Sequence, residues 1–316
     1  MDPFAALALA VSAGKRREAR RVLARLVEEK GVGAVEAWAL RNDIAYTVRE
    51  LALEAGLDEL AERLEKSAER VEEAARHTAE LMELVDKTLA RGGIGYTVFK
   101  TFNRIGRVDV DVDMIIYPKD YWQALRLLHG AGLKPIDSVK KTYATGLMAP
   151  GNPIVLDVHT ELTVLGIPYI DNTILLENNE RKTHKLPGGH LVEAYTATPL
   201  ADTVARIGHA IIKEAEIKID DVTETIHVTT RHRKTLRKIL EAQGIPEAYN
   251  EYLKALLQAL KNMKTPLRLD RRKSIELIIA RITRRHQPVL LLEAALNLRY
   301  PRNAAHIAHL ALNTLS

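Results

Sequence analysis

Asp109, Asp111 and Asp113 occupy alternate positions of RVDVDVDMII (107 to 116), a stretch otherwise built mainly from Val, Met and Ile. Side chains alternate between the faces of an extended strand, so the three carboxylates point one way and Val108, Val110, Val112 and Met114 the other. Carboxylates about 6 to 7 Å apart along one face repel each other, and burial worsens the conflict. A divalent cation removes it: an Asp-x-Asp pair can bridge two Mg²⁺ (or Mn²⁺) ions about 4 Å apart, with a third carboxylate arriving from a neighbouring strand. Asp157, inside the apolar run IVLDVHTEL (154 to 162), supplies that third carboxylate. The plain alternative is an edge strand with a solvated acidic face. The buried MIIY run, the helix after it and a second strand with an internal aspartate favour the metal-binding reading. Asp111, Asp113 and Asp157 are the expected ligands, whereas Asp109 sits at the strand start and reads as its wet entrance. His159 and Glu161 continue the face of Asp157 as accessory candidates, His159 orienting a carboxylate, touching an acceptor or simply hydrogen-bonded in the structure.

These groups need strands to hold them, and the residue pattern supplies them. IGYTVFK (94 to 100) and VDVDVDMIIY (108 to 117) are β-branched, aromatic and alternating. A helix follows over 118 to 132, with Pro118 suited to its first turn, and residues 133 to 162 read as strands joined by an APGNP turn. Upstream, residues 3 to 90 show helical spacing throughout, in segments beginning at Glu18, Ala34 and Leu60; the last is expected to cap the next domain from its surface. A loop-rich stretch reaches about 198 and contains LPGGH (186 to 190), which reads as a plain turn. Helix is expected from there to the end. The fold class is therefore α+β: a small mixed-sheet core flanked by N- and C-terminal helical regions, divided as 1–93, 94–198 and 199–316.

Composition narrows the function further. The chain has 316 residues, 47% apolar and 28% charged, and no cysteine, which excludes disulfides, thiolate nucleophiles and Cys-ligated zinc. No apolar run approaches the roughly 20 residues that span a bilayer. FAALALAVSA follows an acidic residue and is unlike a secretory signal, so a cytoplasmic protein without a membrane partner is expected. Abundant Arg, Glu, Leu and Ala hint at a thermophilic source. The net charge of +5 is unevenly spread: residues 225 to 316 hold 17 Lys/Arg against 6 Asp/Glu, a net of +11.

The order of strand, basic turn, DVDMII, helix and LDVHTEL resembles the polymerase β-like nucleotidyltransferase superfamily. Within it the chain most resembles the uncharacterised nucleotidyltransferases with Lys-Gly ending the first strand, Arg shortly before Asp-x-Asp, and a later Asp-x-His. On that resemblance Lys100 ends the first strand, Arg107 stands four residues before Asp111, Asp111 and Asp113 form the metal pair, and Asp157 with His159 matches the later strand. ADTVARIGHAIIKEAEIKIDDV (201 to 222) looks like the helix pair that follows the core, and toxin-type nucleotidyltransferases share a similar Lys-led turn. The resemblance implies an enzyme that uses Mg²⁺ or Mn²⁺ to move a nucleoside monophosphate, from ATP or another nucleoside triphosphate, to an acceptor hydroxyl. The superfamily places Gly-Ser or Gly-Gly after its first strand. KTFNRIGR (100 to 107) departs from this, and a phosphate would instead be held by Lys100, Thr101, Asn103, Arg104 and Arg107.

Three basic clusters carry Arg231, Arg233, Lys234 and Arg237, then Arg271, Arg272 and Lys273, then Arg284 and Arg285. Together they favour a polyanion, a tRNA-like or duplex RNA held through its backbone. Two other readings fit the core: a catalytically degenerate nucleotidyltransferase fold that binds nucleic acid, and a small-molecule nucleotidyltransferase of the antibiotic-modifying sort. The His306 and His309 pair has a metal-binding spacing on a helix but no third ligand, and reads as packing.

Overall fold

A computed structural model describes residues 2–136, 144–164, 167–262 and 266–284. The N-terminal region is five helices, α1 (Pro3–Ser12), α2 (Arg16–Lys30), α3 (Val32–Arg41), α4 (Ala45–Ala55) and α5 (Asp58–Arg91). Asp2 caps α1 by accepting the N–H of Phe4 at 2.8 Å, with Pro3 at the first helical position. The continuous segment expected over 34 to 56 is broken. Asp43 adopts the left-handed conformation at φ 56° and the Asn42 amide donates to the Trp38 carbonyl, ending α3 before α4 begins. α5 caps the next region as expected. Leu60 and Leu64 pack among the N-terminal helices, whereas Leu81, Met82, Val85 and Leu89, farther along, pack against the sheet.

The core is a seven-stranded mixed sheet in the order β3-β4-β5-β2-β1-β9-β8. Its strands are β1 (Tyr96–Val98), β2 (Asp111–Ile116), β3 (Lys134–Pro135), β4 (Ala144–Met148), β5 (Val155–His159), β8 (Asn179–Lys185) and β9 (Leu191–Ala197), while β6 (Leu162–Val164) and β7 (Ile167–Ile170) form a separate hairpin. β2 runs parallel to β5 and β1 parallel to β9; the other neighbours are antiparallel. Two helices belong to this region, α6 (Tyr121–Gly130), which crosses over after β2, and α7 (Thr173–Leu176). The stretch expected to be loop-rich thus contributes two sheet strands. β8, with sequence NERKTHK, lies at the sheet edge and is mostly exposed, so it needs no apolar pattern, and it pairs with β9, where Val192, Ala194 and Thr196 are buried. LPGGH is the turn of that hairpin, with Gly188 and Gly189 at φ 71° and 81°.

Alternation divides the sheet's faces. Val112, Met114, Ile116, Leu156 and Val158 pack under α5 and α6, so Asp111, Asp113, Ile115, Asp157 and His159 face the opposite side. That side is covered by the C-terminal helices α8 (Pro199–Gly208), α9 (Ile219–Arg231), α10 (Arg233–Ala242), α11 (Pro246–Asn262) and α12 (Arg271–Arg284). Ile115 and Phe99 share a core with Val204, Ile207, Ile211, Leu236, Tyr249 and Tyr252. Helix does not run unbroken from α8, because a π-helical turn at His209–Glu214 is followed by Ala215 in the left-handed conformation at φ 53°, and β10 (Glu216–Ile217) pairs with β11 (Leu267–Arg268). Ile105 and Ile219 pack into the N-terminal helical core, and the Ser12 hydroxyl donates to the Thr223 carbonyl at 3.0 Å. No described helix is long and apolar enough to cross a membrane.

Candidate active site

The register of β2 on β5 sets the first contacts. Asp113 lies directly beside Asp157, and Asp111 beside Val155, so the carboxylates of Asp113 and Asp157 meet across the strands and Asp111 stands one step along the same face. His159, two residues past Asp157, brings Nε2 to 3.1 Å from Asp113 Oδ1, and Lys100 brings Nζ to 3.0 Å from Asp113 Oδ2. One ligand atom each from Asp113, Asp157 and His159 lies within 4.8 Å of the other two. Asp111 lines the same cavity of about 140 Å³, together with Lys100, Asp109, Lys213, Lys218 and Asp220 among others.

The electrostatics describe a site short of positive charge. Burial raises the Asp111 carboxyl above its ordinary range, and the charges of Asp113 and Asp157 add to the rise. Burial also works against the charge on Asp113, but Lys100 and His159 outweigh it and hold that carboxyl well below the usual range. Burial likewise disfavours the Lys100 ammonium, and Asp113 more than offsets this. Oxygen donors from two or three carboxylates beside one imidazole suit a divalent cation, which would relieve the repulsion felt by Asp111.

The β1–β2 loop is held from both sides. Lys100 takes the left-handed conformation at φ 60°; its N–H donates to Asp202 Oδ1 at 2.7 Å, and its carbonyl accepts from the Arg206 guanidinium at 2.7 Å. The Thr101 hydroxyl donates to the Phe99 carbonyl and accepts the N–H of Asp113 at 3.1 Å. The Asn103 side chain donates to the Arg107 carbonyl at 2.8 Å and accepts the Arg107 N–H at 3.0 Å. Arg107 itself reaches Asp109 at 2.6 Å and Asp220 at 2.8 Å. Of the five expected phosphate donors, Lys100, Thr101 and Arg107 line the carboxylate cavity, with Thr101 and Arg107 engaged in holding the loop. Asn103 and Arg104 line an adjacent cleft of about 270 Å³, where Phe102 stacks on His184 at 4.3 Å and Arg104 lies 3.6 Å from Glu224.

Two accessory expectations are corrected. Asp109 precedes β2 instead of opening it to water: it is turned inward onto Arg107, and burial pushes its carboxyl up to about 6 despite that partner. Glu161 lies beyond the end of β5, where the chain bends, and is exposed, so it does not continue the face of Asp157.

A second acidic group across the cavity escaped the sequence reading. Arg206 is fully buried and bonds Asp202 at 2.7 Å and Asp220 at 2.9 Å, with Asp221 at 3.4 Å. Burial opposes the charge on Asp220, but Arg107 and Arg206 prevail and lower its carboxyl; burial and the neighbouring Asp220 push Asp221 up to about 6. A charged pair at i, i+4 within the otherwise apolar run ADTVARIGHAII was the available signal.

The basic clusters divide. Arg231, Arg233, Lys234 and Arg237 are exposed at the end of α9 and on α10, which turns Leu236 and Leu240 inward. On α12, Arg272 and Lys273 are exposed and Arg271 is half-buried, Lys273 pairing with Glu276 at 2.7 Å. Arg281, on α12 one turn before Arg284, is buried and donates to the Pro168 and Gln243 carbonyls and to Asp171. Arg285 and the His306/His309 pair lie outside the described residues, and Arg284 is described only as the end of α12.

No family model and no curated protein matches the chain. Among solved structures it is similar to the solution structure of the antibiotic-resistance factor ANT(2'')-Ia, at 11% identity over 58% of this chain and 97% of that one, with a TM-score of 0.38. It is also similar to the crystal structure of ANT(2'')-Ia in complex with adenylyl-2''-tobramycin, at 14% identity over 59% and 98% of the two chains, with a TM-score of 0.31.

Proposed function

We propose that the protein is a metal-dependent nucleotidyltransferase, which moves a nucleoside monophosphate from a nucleoside triphosphate to an acceptor hydroxyl. The observation that carries this reading is the register that sets Asp113 beside Asp157, with Asp111 on the same face and lysines lining the cavity before them. Asp113, Asp157 and His159, with Asp111 next to them, would hold Mg²⁺ or Mn²⁺. When bound, the metal polarises the α-phosphate and neutralises charge on the departing pyrophosphate. Lys213 and Lys218 give the cavity a cationic wall for the triphosphate, and the loop bonds of Thr101 and Asn103 keep Lys100 and Arg107 in place. The acceptor oxygen bonds to the α-phosphorus, the bond to pyrophosphate breaks, and the hydroxyl proton passes to a carboxylate of the cluster.

For the acceptor, the exposed basic face favours RNA. α9 begins at the cavity with Asp220 and Asp221 and ends at Arg231, a rise of about 16 Å, so Arg231, Arg233, Lys234 and Arg237 lie within reach of the same polyanion. The test is incubation of the protein with labelled nucleoside triphosphates, Mg²⁺ and total RNA, with Asp113→Asn in parallel. Label in RNA that disappears in the variant and weakens steeply with salt supports the full reading. Label in a small molecule keeps the reaction and replaces the acceptor. Absence of both transfer and triphosphate binding in the natural protein leaves a nucleic-acid-binding scaffold and refutes the enzyme.

A further inference from the structure

The geometry points to a site that takes one divalent ion, with the Lys100 ammonium standing where a second cation would bind; this rests on the nucleotidyltransferase reading. A carboxylate that bridges two ions turns both of its oxygens, or one shared oxygen, towards them. Both oxygens of Asp113 face nitrogen instead: Oδ2 takes the Lys100 ammonium at 3.0 Å and Oδ1 takes His159 at 3.1 Å. His159 is itself a candidate ligand, so one ion held by Asp113, Asp157 and His159 would replace the Oδ1 bond and leave Oδ2 on Lys100; one ligand atom from each of the three residues lies within 4.8 Å of the others. Asp111, the other half of the Asp-x-Asp pair, lies outside that cluster and within the field of Lys100.

Lysine is ordinarily a poor substitute for a fixed ion, because its long stem swings. Here the backbone beneath it is fixed. Lys100 sits at φ 60°, a conformation that non-glycine residues keep only when their surroundings impose it. Asp202 binds its N–H and Arg206 its carbonyl, and Arg206, fully buried, also bonds Asp202 at 2.7 Å, closing a ring around the peptide of Lys100. Arg206 and Asp202 are thus positioning residues for the ammonium. The same ring explains how this turn does without the small residues that the resemblance implies: protein groups occupy the Lys100 peptide's N–H and carbonyl, and the side chain supplies the positive charge.

The test counts Mn²⁺ bound per chain, by electron paramagnetic resonance titration of the full-length protein with a non-hydrolysable nucleoside triphosphate. One ion per chain is expected for the natural protein and for Lys100→Arg, and two, with the spectrum of a coupled Mn²⁺ pair, for Lys100→Met. Two coupled ions in the natural protein, or one in a folded Lys100→Met, would overturn the inference while leaving the nucleotidyltransferase reading intact. If Lys100→Met does not fold, the counts for the natural protein and Lys100→Arg decide. Failure of the natural protein to bind either Mn²⁺ or the triphosphate overturns the inference and the underlying reading together.

Discussion

Two groups of three aspartates lie at or beside one cavity and are neutralised differently: Asp220 and Asp221 line it with the sheet carboxylates, and Asp202 lines the adjacent cleft. On the helical side, Asp202, Asp220 and Asp221 surround Arg206, and Arg107 adds a second guanidinium on Asp220. On the sheet side, Lys100 and His159 pair with Asp113 and the charge of Lys213 favours both Asp111 and Asp113, yet burial beside two like charges still raises the Asp111 carboxyl. The first group has the cations it needs from its own chain, and its work is to hold the loop. The second has fewer, and under the proposed function a bound cation would make good that shortage. Carboxylates in a cavity become informative once the cations that answer them have been identified.

Substitutions in either group of aspartates test this difference. Asp157→Asn should lower transfer by about 100- to 1,000-fold, a loss typical of removing one electrostatic contact to the transition state, with stability in metal-free buffer unchanged or raised; steady-state rates beside thermal melts check it. Arg206→Met should act first on stability, destabilising the protein by about 3–5 kcal/mol in urea titration because the buried carboxylates of Asp220 and Asp221 and the half-buried one of Asp202 lose their shared partner. A loss below about 1 kcal/mol would show that the helical group is not structural.

Two smaller effects sharpen the contrast. The Asp221 carboxyl is raised from 3.8 to about 6, so the folded state keeps this proton at higher pH than the unfolded chain does. Its stabilising contribution is therefore present at low pH and lost as pH rises from about 4 through 6. Asp221→Asn should gain stability relative to the natural protein across that window, on the order of 2 kcal/mol, in thermal melts at pH 4, 5.5 and 7. A difference that does not change with pH would contradict the assignment. Asp111→Asn should gain about 0.2–1 kcal/mol in metal-free buffer, the scale of relieving one like-charge contact on a sheet face, and lose that advantage when Mn²⁺ is added.

What was legible in the sequence follows from local periodicity. Alternation in VDVDVDMII and IVLDVHTEL located β2 and β5 and put Asp111, Asp113 and Asp157 on one face. Periodicity is silent where partners are distant. β8 reads as polar loop because an edge strand has no face to bury, and Asp202 and Arg206 look like any surface pair until α8 is seen folded inward over the β1–β2 loop. Asp109 shows the same silence: alternation puts it at the wet start of the strand, whereas it precedes β2 and Arg107 draws it inward. Thr101 and Asn103 have the residue types of phosphate ligands, and only their hydrogen bonds to Phe99, Asp113 and Arg107 show them holding the turn.

The most direct measurement is Mn²⁺ affinity, taken by paramagnetic resonance on the natural protein, Asp157→Asn and Asp221→Asn side by side. The expected result is binding in the natural protein, retention in Asp221→Asn, and affinity at least about 100-fold weaker in Asp157→Asn. Undiminished binding in Asp157→Asn together with loss in Asp221→Asn would place the ion on the helical group and contradict the assignment of the sheet carboxylates as the metal site.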